Sequence, residues 1–284
     1  MKRNKTHIHW YPGHIAKAER KLKEQLSLVD AVIEVVDARL PKSSMYNNIT
    51  GLLNNKPRLI LLNKSDLTDK NELKKWISFL EKELNAPVLL SDAKNSKDLN
   101  LIVKKAVELS EPRIQALMKK GLLRRPARVM VVGMPNVGKS SIINKLTRSS
   151  KTKIGAKAGV TRQQQWVRIN PQLDLLDTPG IIPMKQENQE AAIKLAFVNS
   201  ISENAYSNEP VAQDLLDLLD EKYSDTVRKY YNVETNELTL ENIAISRNWI
   251  ISGGSPDITR AAAYVLRDFR EGKIGKFILD DMEE

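Results

Sequence analysis

Gly133-Met134-Pro135-Asn136-Val137-Gly138-Lys139-Ser140 fits the pattern GxxxxGK[ST] and directly follows the apolar run Ala127 to Val132. The glycines let the backbone turn so that its N–H groups converge on phosphate oxygens. Lys139 then reaches toward the β and γ phosphates of a nucleoside triphosphate, and the Ser140 hydroxyl is placed to hold Mg²⁺. Ser141-Ile142-Ile143-Asn144-Lys145-Leu146 continues as a helix whose positive N-terminus adds to the anion site. Val137, Gly138, Lys139, Ser140 and Ser141 are therefore expected to line the phosphates.

Outward from this loop, short apolar runs alternate with helical patterns. Ala31 to Val36, Arg58 to Leu62, Pro87 to Leu90, Arg128 to Val132, Trp166 to Ile169 and Leu173 to Leu176 read as strands. Near-continuous apolar character in Leu59-Ile60-Leu61-Leu62 and Val129-Met130-Val131-Val132 suits strands buried on both faces. Helical spacing occurs at 14 to 29, 72 to 84 and 99 to 109. The expected class is α/β, a wound, mostly parallel sheet of six strands. After Gly180 the sequence turns helical and acidic, with helices expected near 187–205, 209–221, 223–231 and 256–271. Pro179, Gly180 and Pro183 mark the boundary, giving domains of 1–182 and 183–284.

Four further elements carry chemistry. Asn63-Lys64-Ser65-Asp66 closes the strand at 58–62, and a carboxylate at Asp66 accepts both the N1–H and N2–H₂ of guanine, whereas adenine offers an acceptor at N1. Such a site discriminates because the wrong base leaves buried polar groups unpaired. Asp92-Ala93-Lys94 follows the next strand and places the Ala93 N–H near guanine O6. Asp177-Thr178-Pro179-Gly180 follows the strand at 173–176, putting Asp177 at a Mg²⁺ water and the Gly180 N–H at the γ-phosphate. Thr161, in Gly159-Val160-Thr161, is the candidate switch threonine over Mg²⁺.

These elements resemble the boxes of translation-factor-type GTPases, but the guanine reader and base-contact loop precede the phosphate loop, and the order is that of a circularly permuted Ras-like P-loop domain. Trp10-Tyr11-Pro12-Gly13-His14-Ile15-Ala16-Lys17-Ala18, Val36-Asp37-Ala38-Arg39-Leu40-Pro41 and Asp177-Thr178-Pro179-Gly180-Ile181 narrow the resemblance to the bacterial ribosome biogenesis GTPase A family, also called YlqF. The resemblance implies a GTPase, cycling between GTP and GDP, that assists late assembly of the large (50S) ribosomal subunit and is stimulated by the ribosome. The implied partners are a large-subunit precursor and ribosomal RNA, and a monomer is expected. Two alternatives stand beside it: a related permuted GTPase acting on the small subunit or another RNA, and a GTP-gated RNA-binding module with negligible turnover. Asp92 departs from the serine usual in such base-contact loops.

Ile181 stands where Ras-like enzymes keep a water-orienting glutamine. An isoleucine cannot orient water, so the catalytic set proposed from the sequence is Lys139, Thr161 and His14, with His14 positioning the water; its other reading is a histidine that contacts RNA or packs on Trp10. Asn136 matches the asparagine with which potassium-stimulated GTPases hold K⁺, against the plainer reading of a turn-forming residue.

Composition limits the alternatives. The absence of cysteine excludes disulfides, thiol nucleophiles and Cys-ligated metal sites. The chain carries a formal charge of +10, distributed unevenly: residues 113–173 hold 14 Lys/Arg and no Asp/Glu, while 174–284 hold 11 against 21. Basic residues from Arg113 to Lys157 are therefore expected to offer an RNA surface. With no signal-peptide pattern and no apolar run of membrane length, the expected location is cytoplasmic, without a membrane partner.

Overall fold

The computed structural model describes residues 6, 8, 15–46, 49–53, 56–92, 98–149, 166–176, 180–181, 188–235 and 237–282. Its centre is a sheet of β1 (Ala31–Asp37), β2 (Arg58–Asn63), β3 (Val88–Leu90), β4 (Ala127–Gly133), β5 (Trp166–Asn170) and β6 (Leu173–Leu176), in the order β3-β2-β1-β4-β6-β5. All neighbours on this path are parallel except the β5–β6 hairpin. A seventh strand, β7 (Gly180–Ile181), pairs with the end of β4 and is not expected from the sequence; two residues carry no periodicity to read.

β1 is buried at every residue, as its mostly apolar run suggests, with buried Glu34 paired to Arg58. One sheet face, with Ile33, Val35, Leu61 and Val131, packs under α4 (Asp98–Lys119) and α5 (Lys139–Ser149). The other carries Leu22 and Leu26 of α1 (Ile15–Ser27), Leu53 of α2 (Ile49–Leu53) and Leu73, Trp76 and Leu80 of α3 (Lys70–Leu84). Asp69 caps α3 by accepting from the N–H groups of Asn71 and Glu72. α4 runs past Pro112, beyond the helical spacing at 99 to 109; buried Leu99, Ile102, Ala106 and Ile114 hold it on the sheet despite the missing N–H.

The C-terminal region is helical: α6 (Gln189–Phe197), α7 (Asn208–Tyr231), α8 (Leu240–Ser246) and α9 (Ile258–Arg270). Tyr223, with non-helical φ/ψ, kinks α7 between the two helices expected there. α8 is an addition to the expected set; in seven residues only Leu240, Ile243 and Ala244 mark its buried face. Asp257 caps α9, as its position suggests. The apolar core under α4 and α5 continues into these helices through Leu195, Phe197, Leu215 and Phe269. The tail beyond α9 returns to the sheet domain: Phe277 N–H donates to the Leu67 carbonyl and Leu279 N–H to that of Arg39. Buried Asp280 accepts from the N–H groups of Lys42 and Ser43, each at 2.8 Å. Among the described residues, no helix is long and apolar enough to cross a membrane.

Candidate nucleotide site

In an open α/β sheet, ligands bind beyond the carboxyl ends of the strands, where the strand order reverses. Here that point lies between β1 and β4. The ends of β2, β1 and β4 stand side by side, and each releases a segment singled out in the sequence.

The phosphate loop is anchored from below by Met134 and Val137, both buried in the core. Two glycines are required by space as well as by backbone angle. A Cβ on Gly133 (φ +151) would lie 2.4 Å from the Val35 carbonyl oxygen, and one on Gly138 (φ +102) would lie 2.1 Å from Asn63 Nδ2. Asn63 thus presses on the phosphate loop, and its amide donates to the Val137 carbonyl at 2.8 Å. Asn63 Oδ1 is buried without a hydrogen-bond partner among the described residues. Lys64, in the left-handed region at φ 61, turns its ammonium onto the Asn136 carbonyl at 2.9 Å. Segments more than 70 residues apart are therefore joined by two hydrogen bonds, as the permuted order demands.

Asp66 lies in the 3-10 turn Ser65–Leu67, and Ser65 ties that turn to the end of β3: its N–H and hydroxyl both donate to the Ser91 carbonyl. The next carbonyl, of Asp92, accepts from Lys145 Nζ of α5 at 2.7 Å. The two base-side loops and the phosphate-loop helix thus form one hydrogen-bonded unit. Gly180 pairs beside Val132 in β7, at the mouth of the phosphate loop. Ser140 and Ser141 are exposed at the start of α5. His14, Ala93, Thr161 and Asp177 lie outside the described residues.

Lys139 is buried, and burial lowers its pKa to about 8; its ammonium donates to the Met134 carbonyl. Asn136, at φ 58, donates its side-chain amide to the Asn199 carbonyl at 2.6 Å, which links the phosphate loop to the turn after α6. Burial by itself would raise Asp37, but Arg39 and Lys64 on its carboxylate outweigh that and hold it far below the usual range. Reading the sequence assigns Asp37, Arg39 and Asn199 no site role. The available signal is a charged residue ending a mostly apolar buried strand at the carboxyl edge of the sheet.

Four of the basic residues expected to offer an RNA surface over 113–157 make contacts within the chain. Arg113 and Arg125 clamp buried Asp30, and Arg124 makes a two-pronged pair with Glu111. Arg128 stacks on Trp166.

Comparison with known proteins agrees with this geometry. A family model described as 50S ribosome-binding GTPase matches residues 128–244. Ribosome biogenesis GTPase A of Priestia megaterium is 38% identical over 98% of both chains. The solved GDP-bound YlqF (TM-score 0.65, 28% identity, covering 93% of this chain and 100% of that one) and GNP-bound YlqF from T. maritima (TM-score 0.64, 28% identity, 94% and 99%) share the fold. The chain binds guanine nucleotide and hydrolyses GTP. Its permuted phosphate-loop domain, helical C-terminal region and full-length likeness to these proteins establish that it belongs to the ribosome biogenesis GTPase A family.

Proposed function

We propose that this GTPase assists late assembly of the large ribosomal subunit, hydrolysing GTP when it meets the ribosome. Its main support as a nucleotide switch is the bond from Asn63 to Val137, which sets the base-reading segment against the phosphate loop. Asp66 reads guanine, the Ala93 N–H meets O6, and Val137 to Ser141 with Gly180 surround the phosphates. The exposed Ser140 hydroxyl at the start of α5 suits a Mg²⁺ ligand, and Asp177 and Thr161 complete that set. Asn136, whose amide nitrogen is held by Asn199, offers Oδ1 to a K⁺ ion. Such a cation supplies positive charge beside the transferring phosphate. Lys139 stabilises the same charge, and His14 orients the attacking water.

Residues 1–182 act as the GTPase domain and 183–284 as the part that meets RNA. Support for the latter is a surface of arginines on aromatic rings: Arg260 over Trp249 and Tyr264, and Arg267 4.0 Å from the Tyr264 centroid. Exposed Ile250 and Ile251 lie beside Trp249 in the chain. Ribosomal RNA is recognised by such combinations of stacking and phosphate contact. The test is GTP turnover with purified large and small subunits, together with cosedimentation on each. Stimulation and GTP-dependent binding are expected with the large subunit; stimulation by the small subunit alone, or turnover unaffected by either, overturns the assignment.

A further inference from the structure

Asp37 is fully buried at the end of β1, yet its carboxylate carries no role in the base or phosphate contacts described above. It binds two cations. Arg39 Nε and Nη2 reach its two oxygens at 2.9 Å each, and Lys64 Nζ lies 2.8 Å from Oδ2. The Arg39 N–H donates to it as well. Lys64 belongs to the guanine-reading segment, and the same ammonium bonds the Asn136 carbonyl of the phosphate loop. A lysine side chain loses substantial rotamer freedom when fixed, and its backbone here is already in the left-handed region. Something must hold it in place before the nucleotide arrives.

Arg39 connects this clamp to the helical region. Its Nη1 lies 3.4 Å from the Phe269 and Arg270 carbonyls at the C-terminus of α9, where a cation is favoured, and its guanidinium stacks 5.2 Å from the Phe269 centroid. Arg270 continues to the Ala196 and Phe197 carbonyls at the end of α6. Two residues on, the Asn199 carbonyl takes the Asn136 amide. The path Lys64, Asp37, Arg39, Arg270, Asn199, Asn136 closes on itself, with both ends at one phosphate-loop residue.

We infer that Asp37 is a positioning residue for the guanine site, holding Lys64 against the phosphate loop, and that Arg39 braces that position from the end of α9. This rests on the assignment of residues 63–66 as the base reader, and it makes a carboxylate on the neighbouring strand and the helical region responsible for setting that reader.

A double-mutant cycle on the full chain tests this, using titration with a fluorescent GDP at a temperature where circular dichroism shows every variant folded. Lys64→Met is expected to weaken GDP about tenfold, as is Asp37→Asn, since each removes a charge-assisted hydrogen bond. The double variant is expected to bind no worse than Lys64→Met, and in turnover the loss falls on KM for GTP and not on kcat. Additive losses, or wild-type affinity in Asp37→Asn, overturn the inference while leaving the base reader intact. An unaffected Lys64→Met overturns both. Should Asp37→Asn fail to fold, Arg39→Lys, which keeps a cation beside Asp37 but lacks the fork to α9, runs the same cycle with the same criteria.

Discussion

The side-chain amide of Asn63 donates to the backbone carbonyl of Val137 at 2.8 Å, and the glycine that follows Val137 has no room for a Cβ because that amide occupies the space. Asn63 and Gly138 therefore specify each other. Gly138→Ala must displace Asn63 and places a side chain at φ +102. Strain of this kind and the broken bond predict GDP binding weaker by roughly 10²-fold with the fold retained. Gly51→Ala, in α2 with nothing within 4 Å, serves as control and should bind GDP normally. Isothermal titration of both variants checks this.

Lys139 gives nucleotide affinity a defined pH dependence. Its pKa in the free protein is lowered by burial to about 8, from 10.5, and phosphate contact raises it again. Binding therefore takes up protons, about half a proton per site at pH 8. GDP affinity should be fully present at pH 7 and about fourfold weaker at pH 8.5, a range below the titration of guanine itself. The sign for folding is opposite. A lysine whose folded pKa lies below its unfolded value costs stability, on the order of 3 kcal/mol, at pH values under 8, and the cost fades as pH rises toward 10.5. Calorimetry in buffers of different ionisation enthalpy measures the uptake; none at pH 8 would contradict the assignment.

Asn136→Ala removes both the bond to the Asn199 carbonyl and the proposed cation ligand. GTP turnover measured in K⁺ and in Na⁺ should differ for the wild-type chain and become equal in the variant. Equal rates in the wild type would leave Asn136 as a turn residue and link to α6 only.

Replacing both Arg260 and Arg267 by alanine strips the cations from Trp249 and Tyr264 at exposed positions. Large-subunit binding should weaken, and the slope of its logarithm against log salt should shrink by about 2, near one for each phosphate that no longer meets a cation. GDP affinity should not change. An unaltered slope would move the RNA-binding surface elsewhere.

Much of this architecture is legible in advance because a parallel strand buried on both faces writes itself as an apolar run. All six main strands begin and end within a residue or so of those runs. The phosphate loop and Asn63 to Asp66 are legible because their chemistry fixes residue types at fixed spacing. What escapes depends on partners distant in sequence. Arg125 looks free beside the phosphate loop, and only folding brings it onto Asp30. Nothing near Val36-Asp37-Ala38-Arg39 in the chain announces Lys64 or the end of α9. Local propensity argues for a stop in α4 at Pro112, while packing on the sheet carries the helix through.

Exchange of the Asp66 carboxylate, the proposed base reader, is the most direct test of the account. Asp66→Asn presents an amide donor where guanine also donates, but where xanthine carries a carbonyl at C2. Titration of that variant with GDP and XDP should show GDP weakened by at least about 10²-fold and XDP bound more tightly than GDP. Unchanged GDP affinity with no gain for XDP would mean that the segment at the end of β2 does not read the base of the nucleotide gripped by Lys139.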